Sequence, residues 1–207
     1  MHASDQQEVV AALKALMRER EQTVAALDHA LKEFSARLFA ALESALGEMA
    51  AAGVPGVGKC RRLAHPGGSG LEGFQIFIEE WSIILMPLPG FARPNPLDDA
   101  RVAAVLFKEP CARIAVFLTD NPQTSAFYDF LIFQDGSWFA WGYGWPKQQS
   151  DIESTDFEAL AMELIYSFIK DIFRTWQTRD ATALAAALDA KRRCFSFGLP
   201  GEERQGG

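Results

Sequence analysis

Few residues of this chain have a type and spacing that could support chemistry, and the cysteines come first among them. Cys60 lies between Lys59 and Arg61, and Cys194 follows Arg193. Neighbouring cations lower the pKa of a thiol, so either cysteine could act as a reactive thiolate. No histidine is adjacent to a cysteine, and the chain has neither a His-Glu-x-x-His nor a Gly-x-Ser-x-Gly motif. The sequence therefore predicts no catalytic residue, no metal site and no cofactor, and it favours a protein that is not an enzyme.

The segment from Gly53 to Cys60 suggests a different kind of site. Its sequence, Gly-Val-Pro-Gly-Val-Gly-Lys-Cys, resembles the Walker A loop of P-loop nucleotide hydrolases, whose glycine N–H groups and lysine bind phosphates. The resemblance implies a nucleotide site formed by Gly53, Gly58 and Lys59. Cys60 stands where that family has a magnesium-binding hydroxyl, and a helix pattern precedes the loop where the family has a strand. We therefore favour a Gly-rich linker over residues 53–73 and keep the nucleotide site as the alternative.

The clearest structural signal is an aromatic β-hairpin over residues 126–144. The dipeptide Asp135-Gly136 between two apolar runs favours a two-residue turn. Such a turn would place Asp129 opposite Gly142. One face of the hairpin would then carry an aromatic ladder, consisting of Tyr128, Phe130, Ile132, Phe139, Trp141 and Tyr143. We expect this ladder to belong to the core, beneath a C-terminal helix.

The other face of the hairpin is the candidate for a ligand pocket. Gly142 would leave space beside Asp129, and Trp138 would lie on the same face. A carboxylate in an apolar strand must be hydrogen-bonded, ion-paired or at an exposed edge. We favour an Asp129 side chain that faces solvent near the end of its strand. The alternative is that Asp129, Gly142 and Trp138 bind a small ligand.

The N-terminal quarter of the chain predicts a long helix. Residues 5–51 are rich in good helix formers, and they carry a heptad seam typical of a coiled coil, formed by Val24, Leu27, Leu31, Phe34 and Leu38. Toward the N-terminus the seam weakens at Arg20. One helix of this length would span about 70 Å, although a compact chain of this size has a radius of gyration of about 17 Å. We expect either a helical hairpin or a seam that pairs with another chain.

The remaining patterns predict an α+β fold. Consecutive strand patterns favour an antiparallel sheet of about four to six strands. A wide apolar stripe over 157–176 predicts a helix, with a capping box at Thr155 and Glu158, and a second helix follows at 180–191. We expect the C-terminal helices to pack on one face of the sheet. The chain then divides into a helical segment (1–52), the linker (53–73), the α+β domain (74–197) and a disordered tail (198–207).

Composition narrows the function classes. The chain has 207 residues, 49% of them hydrophobic, which is enough for a sizeable core. Its formal net charge of -7 argues against a general nucleic-acid binder. No apolar run reaches the roughly 18 residues of a membrane span, and the N-terminus lacks a signal-peptide pattern. We therefore expect a cytoplasmic protein that contacts neither membrane nor nucleic acid.

Together these patterns indicate an interaction protein. We expect a non-enzymatic protein-interaction or assembly module that self-associates through its N-terminal helix, with a homo-oligomer or another protein as partner. The alternative is a small-ligand-binding protein or enzyme with a pocket beside Asp129 and Gly142.

Overall fold

The computed structural model describes residues 3–65, 70–79, 81–92, 110–117, 128–142 and 148–178. In these ranges the chain forms two helices and seven strands. In chain order they are α1 (Ala3–Ala51), β1 (Lys59–Ala64), β2 (Glu72–Ile78), β3 (Trp81–Ala92), β4 (Cys111–Phe117), β5 (Tyr128–Phe133), β6 (Ser137–Gly142), β7 (Gln148–Asp151) and α2 (Phe157–Thr178). The predicted helix at 180–191 and the predicted tail at 198–207 lie outside the described residues.

Helix α1 is a single unbroken helix of 49 residues. It contains no proline and only one glycine, Gly47, so nothing in its sequence forces a break. Its C-terminus is closed by Gly53 at φ +75°, where the N–H of Val54 donates to the carbonyl of Met49 and the N–H of Gly53 donates to that of Ala50. This pairing is a Schellman motif, which ends a helix at a left-handed glycine. The helical hairpin, which was one of the two arrangements expected for this segment, is therefore excluded.

The seven strands form one antiparallel sheet in which each strand pairs with the next, in the order β1 to β7. The expected four to six strands were too few because the sequence patterns missed both edge strands. Strand β1 lies inside the segment 53–73 that was predicted to be a linker, and it pairs with β2 from Lys59 opposite Phe77 to Ala64 opposite Glu72. A mostly exposed edge strand needs no apolar alternation, so composition gave no sign of it.

One face of the sheet carries the main core. Phe34 of α1 lies 5.5 Å from the ring of Phe130 on β5, 5.4 Å from Trp138 on β6 and 5.3 Å from Phe157 on α2. Helix α1 contacts β1, β3, β4 and β5, and α2 packs against α1. The long N-terminal helix is therefore the element that covers the sheet, and Phe34 joins all three layers of this core.

Helix α2 begins as predicted, but its cap differs. The Asp156 carboxylate accepts a hydrogen bond from the N–H of Ala159 at 3.0 Å and serves as the N-cap. Thr155, which was predicted to start a capping box, instead accepts a hydrogen bond from the indole N–H of Trp138 at 2.7 Å. The start of α2 is in this way joined to the sheet.

The hairpin of β5 and β6 lies where it was predicted, but its register differs by one residue. The N–H of Gly136 donates to the carbonyl of Phe133, and Gly136 adopts φ +82°, so the loop holds three residues instead of two. Asp129 consequently lies opposite Trp141, and Tyr128 lies opposite Gly142. A shift of one residue moves every side chain of β6 to the other face relative to β5. The continuous aromatic ladder expected from the sequence is therefore divided between the two faces.

Candidate functional site

The first part of α1 extends beyond the rest of the fold. Every residue from Gln6 to Gln22 is exposed, and burial becomes complete only at Leu27. This projecting segment (residues 6–22) is 17 residues long and spans about 25 Å at 1.5 Å per residue. It is thus a helix without a covering layer in the described part of the chain.

The projecting segment carries large apolar side chains on one side. Their exposed fractions are 50% for Val9, 50% for Val10, 56% for Leu13, 61% for Leu16 and 52% for Met17. These residues are spaced three and four apart, so they form one stripe along the helix. Such a stripe on an exposed helix marks a surface that another apolar surface can cover.

This stripe continues the buried seam of the same helix. Leu13 and Leu27 differ by two heptads, and Met17 and Leu31 differ by two heptads as well, so both pairs lie on one helix face. The sheet and α2 cover that face from Leu27 onward and leave it uncovered over the projecting segment. A single apolar face of α1 therefore has one half inside the core and one half in solvent.

The five residues predicted to form an interface lie mostly in the covered half. Val24 is half-buried, while the other four are completely or almost completely buried in the core, namely Leu27, Leu31, Phe34 and Leu38. These four side chains cannot contact a second chain while α1 is packed on the sheet. The five residues lie on the same helix face as the exposed stripe, but in the half of that face that the core covers or begins to cover.

The predicted ligand residues are not brought together. Asp129 lies on one face of the sheet, and Gly142 lies on the other, because neighbouring paired positions in β5 and β6 alternate in direction. The sequence also predicted that the Asp129 side chain faces solvent, and this prediction is wrong. Its carboxylate is buried and accepts a hydrogen bond from Nε of Arg113 on β4, and the two side chains are only 7% and 8% exposed. Asp129 therefore belongs to a buried ion pair, which is one of the satisfied states that a carboxylate in a strand requires.

Trp138, the third predicted ligand residue, belongs to the core. It is 2% exposed and packs against Phe34 and Phe130. Its indole N–H is satisfied by Thr155. Nothing of its surface is left for a ligand.

The predicted nucleotide residues lie in a context opposite to that of a phosphate-binding loop. Gly53 ends helix α1, and Lys59 begins strand β1, so the order is helix, loop, strand. A Walker A loop is followed by a helix whose N-terminal N–H groups and positive dipole end attract phosphate. Here the loop follows the negative end of a helix dipole instead. Gly56 is in addition covered by the Glu79 side chain, which would repel a phosphate.

Of the two cysteines predicted to be reactive, Cys60 does not have the lowered pKa expected for it, and Cys194 lies outside the described residues. Burial raises the pKa of the Cys111 thiol to about 12. Burial and the neighbouring Glu43 carboxylate raise the pKa of Cys60, and this outweighs the lowering by Arg62. Raised pKa values leave both thiols protonated at neutral pH, so neither behaves as an activated nucleophile.

An open cavity of about 270 Å³ lies between α1, the hairpin turn and the turn that leads into α2. Its polar lining includes His29, Glu33, Asp135 and Asp151. The Asp135 carboxylate accepts hydrogen bonds from the N–H and the hydroxyl of Ser137, which lower its pKa. Over the described ranges, no three His, Cys, Asp or Glu side chains are grouped so that they could hold a metal ion. The Asp135 side chain in this lining is held within the hairpin turn by Ser137.

Comparison of the chain with protein-family models, with curated proteins and with solved structures gives no match in any of the three. Of the helices in the described part of the chain, none is both long enough and apolar enough to cross a membrane.

The heptad seam predicted from the sequence does not include the projecting stripe, because Arg20 interrupts it. The signal was nevertheless present, since Val10, Leu13 and Met17 repeat the three-and-four spacing on the far side of Arg20. What the sequence does not contain is the position at which the sheet stops covering the helix. Exposure, and not periodicity, separates the interface candidate from the core.

Proposed function

We propose that this protein is a non-enzymatic assembly module that self-associates through the projecting segment of α1. One observation carries the proposal: five large apolar side chains, each at least half exposed, form a single stripe on a helix that extends past its own fold. The occupant that we propose for this stripe is the same segment of a second copy of the chain.

The charges around the stripe favour a protein partner. The polar side of the projecting segment carries charges of both signs, with Glu8, Lys14, Arg18, Glu19 and Glu21. A helix that lies on an anionic membrane, or one that binds nucleic acid, usually carries a surplus of Lys and Arg on its polar side. Mixed charge beside an apolar stripe is instead typical of helices that pair with helices.

The pattern of the stripe favours a second copy. Val9 and Val10 lie four and three residues before Leu13, and Leu16 and Met17 lie three and four residues after it. The stripe is therefore complementary to itself, as an isologous contact between two identical surfaces requires.

The number of apolar side chains in the stripe also suits a reversible dimer. Complete burial of a Val, Leu or Met side chain is worth about 1.5–3 kcal/mol, so half-exposed side chains contribute about 1 kcal/mol each when covered. Ten such side chains in a dimer give about 10 kcal/mol, against an association cost of about 4–15 kcal/mol. At the low end of that cost the net free energy is about 6 kcal/mol, which corresponds to a Kd of about 40 μM. We expect self-association at micromolar concentrations above this Kd.

Sedimentation velocity of the full chain over a concentration series tests this proposal. Leu13→Asp places a charge in the centre of the stripe and should leave the chain monomeric throughout the series. Ala15→Asp is the matched control, because it adds the same charge on the opposite side of the helix, about 200° away, and should associate like wild type. A wild-type chain that stays monomeric at about 500 μM, well above the Kd that this stripe area favours, would refute the proposal.

A ligand-binding or enzymatic function has less support. Its motivating pair, Asp129 and Gly142, lies on opposite faces of the sheet, and the Asp129 carboxylate is bound by Arg113.

A further inference from the structure

We infer that the two copies pair antiparallel, with the twofold axis at Leu13, so that the two folded bodies lie at opposite ends of a helix pair. This inference rests on the proposed self-association and adds its geometry. It follows from three features of α1: the placement of the body, the symmetry of the stripe and the residues that border the stripe.

The position of the sheet and α2 on helix α1 excludes a parallel pair. From Leu27 onward the sheet and α2 cover the same helix face that carries the stripe. A parallel partner that lies on the stripe would continue, after residue 24, into the space that the sheet of the first copy occupies. An antiparallel partner avoids this collision, because its helix begins at Ala3 and, with the axis at Leu13, Ala3 lies opposite Thr23.

The symmetry of the stripe selects the register. With the axis at Leu13, Val10 of one copy lies beside Met17 of the other, and Val9 lies beside Leu16. Each of these pairs occurs twice in the dimer. Every large apolar residue of the projecting segment is then covered by one from the partner, and none is left facing solvent.

The residues at the two ends of the stripe also favour an antiparallel pair. Gln6 lies seven residues before Leu13, and Arg20 lies seven residues after it, so both are on the seam. An antiparallel pair places Arg20 of one copy opposite Gln6 of the other, where an amide oxygen can accept from the guanidinium. A parallel pair would place the two Arg20 cations against each other, which is unfavourable for like charges at close range.

Disulfide crosslinking of full-length single-cysteine additions tests the direction. An equal mixture of Val10→Cys and Met17→Cys should give the mixed disulfide between positions 10 and 17, whereas each variant alone should give little crosslink. In the antiparallel pair, two copies of position 10 are about 9 Å apart along the axis, which exceeds the Cα separation that a disulfide tolerates. Trypsin cleaves after Lys14, so peptide mass mapping identifies which positions are joined.

Leu13→Cys separates failure of the inference from failure of the proposed function. It should crosslink to itself in either direction, since position 13 meets its own copy in both. Crosslinking at Leu13→Cys together with a strong Val10→Cys self-disulfide would overturn the antiparallel arrangement and retain self-association. No crosslink at Leu13→Cys, in a chain that light scattering shows to be monomeric, would overturn both.

A charge substitution provides an independent readout. Gln6→Glu should tighten the dimer about two- to tenfold, because it adds two ion pairs with Arg20 of the partner. Gln22→Glu adds the same charge on the side of the helix away from the stripe and should leave the affinity unchanged. A dimer weakened by Gln6→Glu alone would contradict the inference, because a parallel pair places the two new carboxylates together.

Discussion

Replacing Phe34 with alanine should destabilise the folded chain strongly, even though Phe34 belongs to a heptad seam that resembles an interface. Its side chain is fully buried and lies within 5.5 Å, centroid to centroid, of Phe130, Trp138 and Phe157. The substitution removes the contact that joins α1, the sheet and α2. It therefore tests whether this half of the seam belongs to the core.

The expected magnitude follows from the burial of the ring. A buried Phe→Ala substitution costs about 3–5 kcal/mol, and the loss of three aromatic contacts favours the upper part of that range. A domain of ordinary stability has about 5–15 kcal/mol in total. With a urea m value of about 2 kcal/mol/M, a loss of about 4 kcal/mol moves the unfolding midpoint by about 2 M.

Urea titration followed by tryptophan fluorescence measures this shift. Leu16→Ala is the control, because Leu16 belongs to the projecting part of the same helix and is 61% exposed. In dilute solution it should change the free energy of unfolding by less than about 0.5 kcal/mol. A loss below about 1 kcal/mol for Phe34→Ala, or an equal loss for both variants, would refute the division of α1 into a core half and a projecting half.

Three further outcomes follow from single contacts. Arg113→Met and Asp129→Leu should each cost about 3–5 kcal/mol, because each removes one member of a buried ion pair, while the double variant should cost much less than their sum. Additive losses in a double-mutant cycle would contradict the ion pair. Iodoacetamide at pH 8, followed by mass spectrometry, should label Cys60 well before Cys111, whose pKa is raised to about 12. Because the pKa of Cys111 is higher in the folded chain than in the unfolded chain, the stabilisation from its neutral thiol is complete below about pH 9. This stabilisation is lost as the pH rises toward 12. Gly136→Ala should cost about 1–2 kcal/mol by urea titration, since φ is +82° while no atom lies within 4 Å of the new methyl group; an unchanged midpoint would contradict the left-handed turn.

Sequence patterns were sufficient to predict helix in the N-terminal segment, the hairpin of β5 and β6 and the start of α2. The hairpin register was not predictable, because Asp135-Gly136 suits both a two-residue turn and a three-residue loop. In the three-residue loop, the carbonyl of Gly136 accepts a hydrogen bond from the N–H of Ile152. That contact comes from a segment 16 residues away and leaves no local signal.

The environment of Asp129 was unpredictable for a similar reason. Its partner Arg113 is 16 residues away and becomes its neighbour only when β4 pairs with β5. The two halves of α1 show the same limit, because Leu13 and Leu27 have the same residue type and heptad position. Whether such a residue is buried depends on where the sheet ends, and the sheet is formed by residues far along the chain.

The mass of the full chain in solution tests the central claim most directly. Multi-angle light scattering should give a mass that rises with concentration from the chain mass of 22.9 kDa toward twice that value, and Leu13→Asp should remove the rise. A mass that stays at 22.9 kDa up to about 500 μM, above the Kd expected for a stripe of this area, would contradict self-association through the projecting segment. A rise that Leu13→Asp leaves intact would place the contact elsewhere on the molecule.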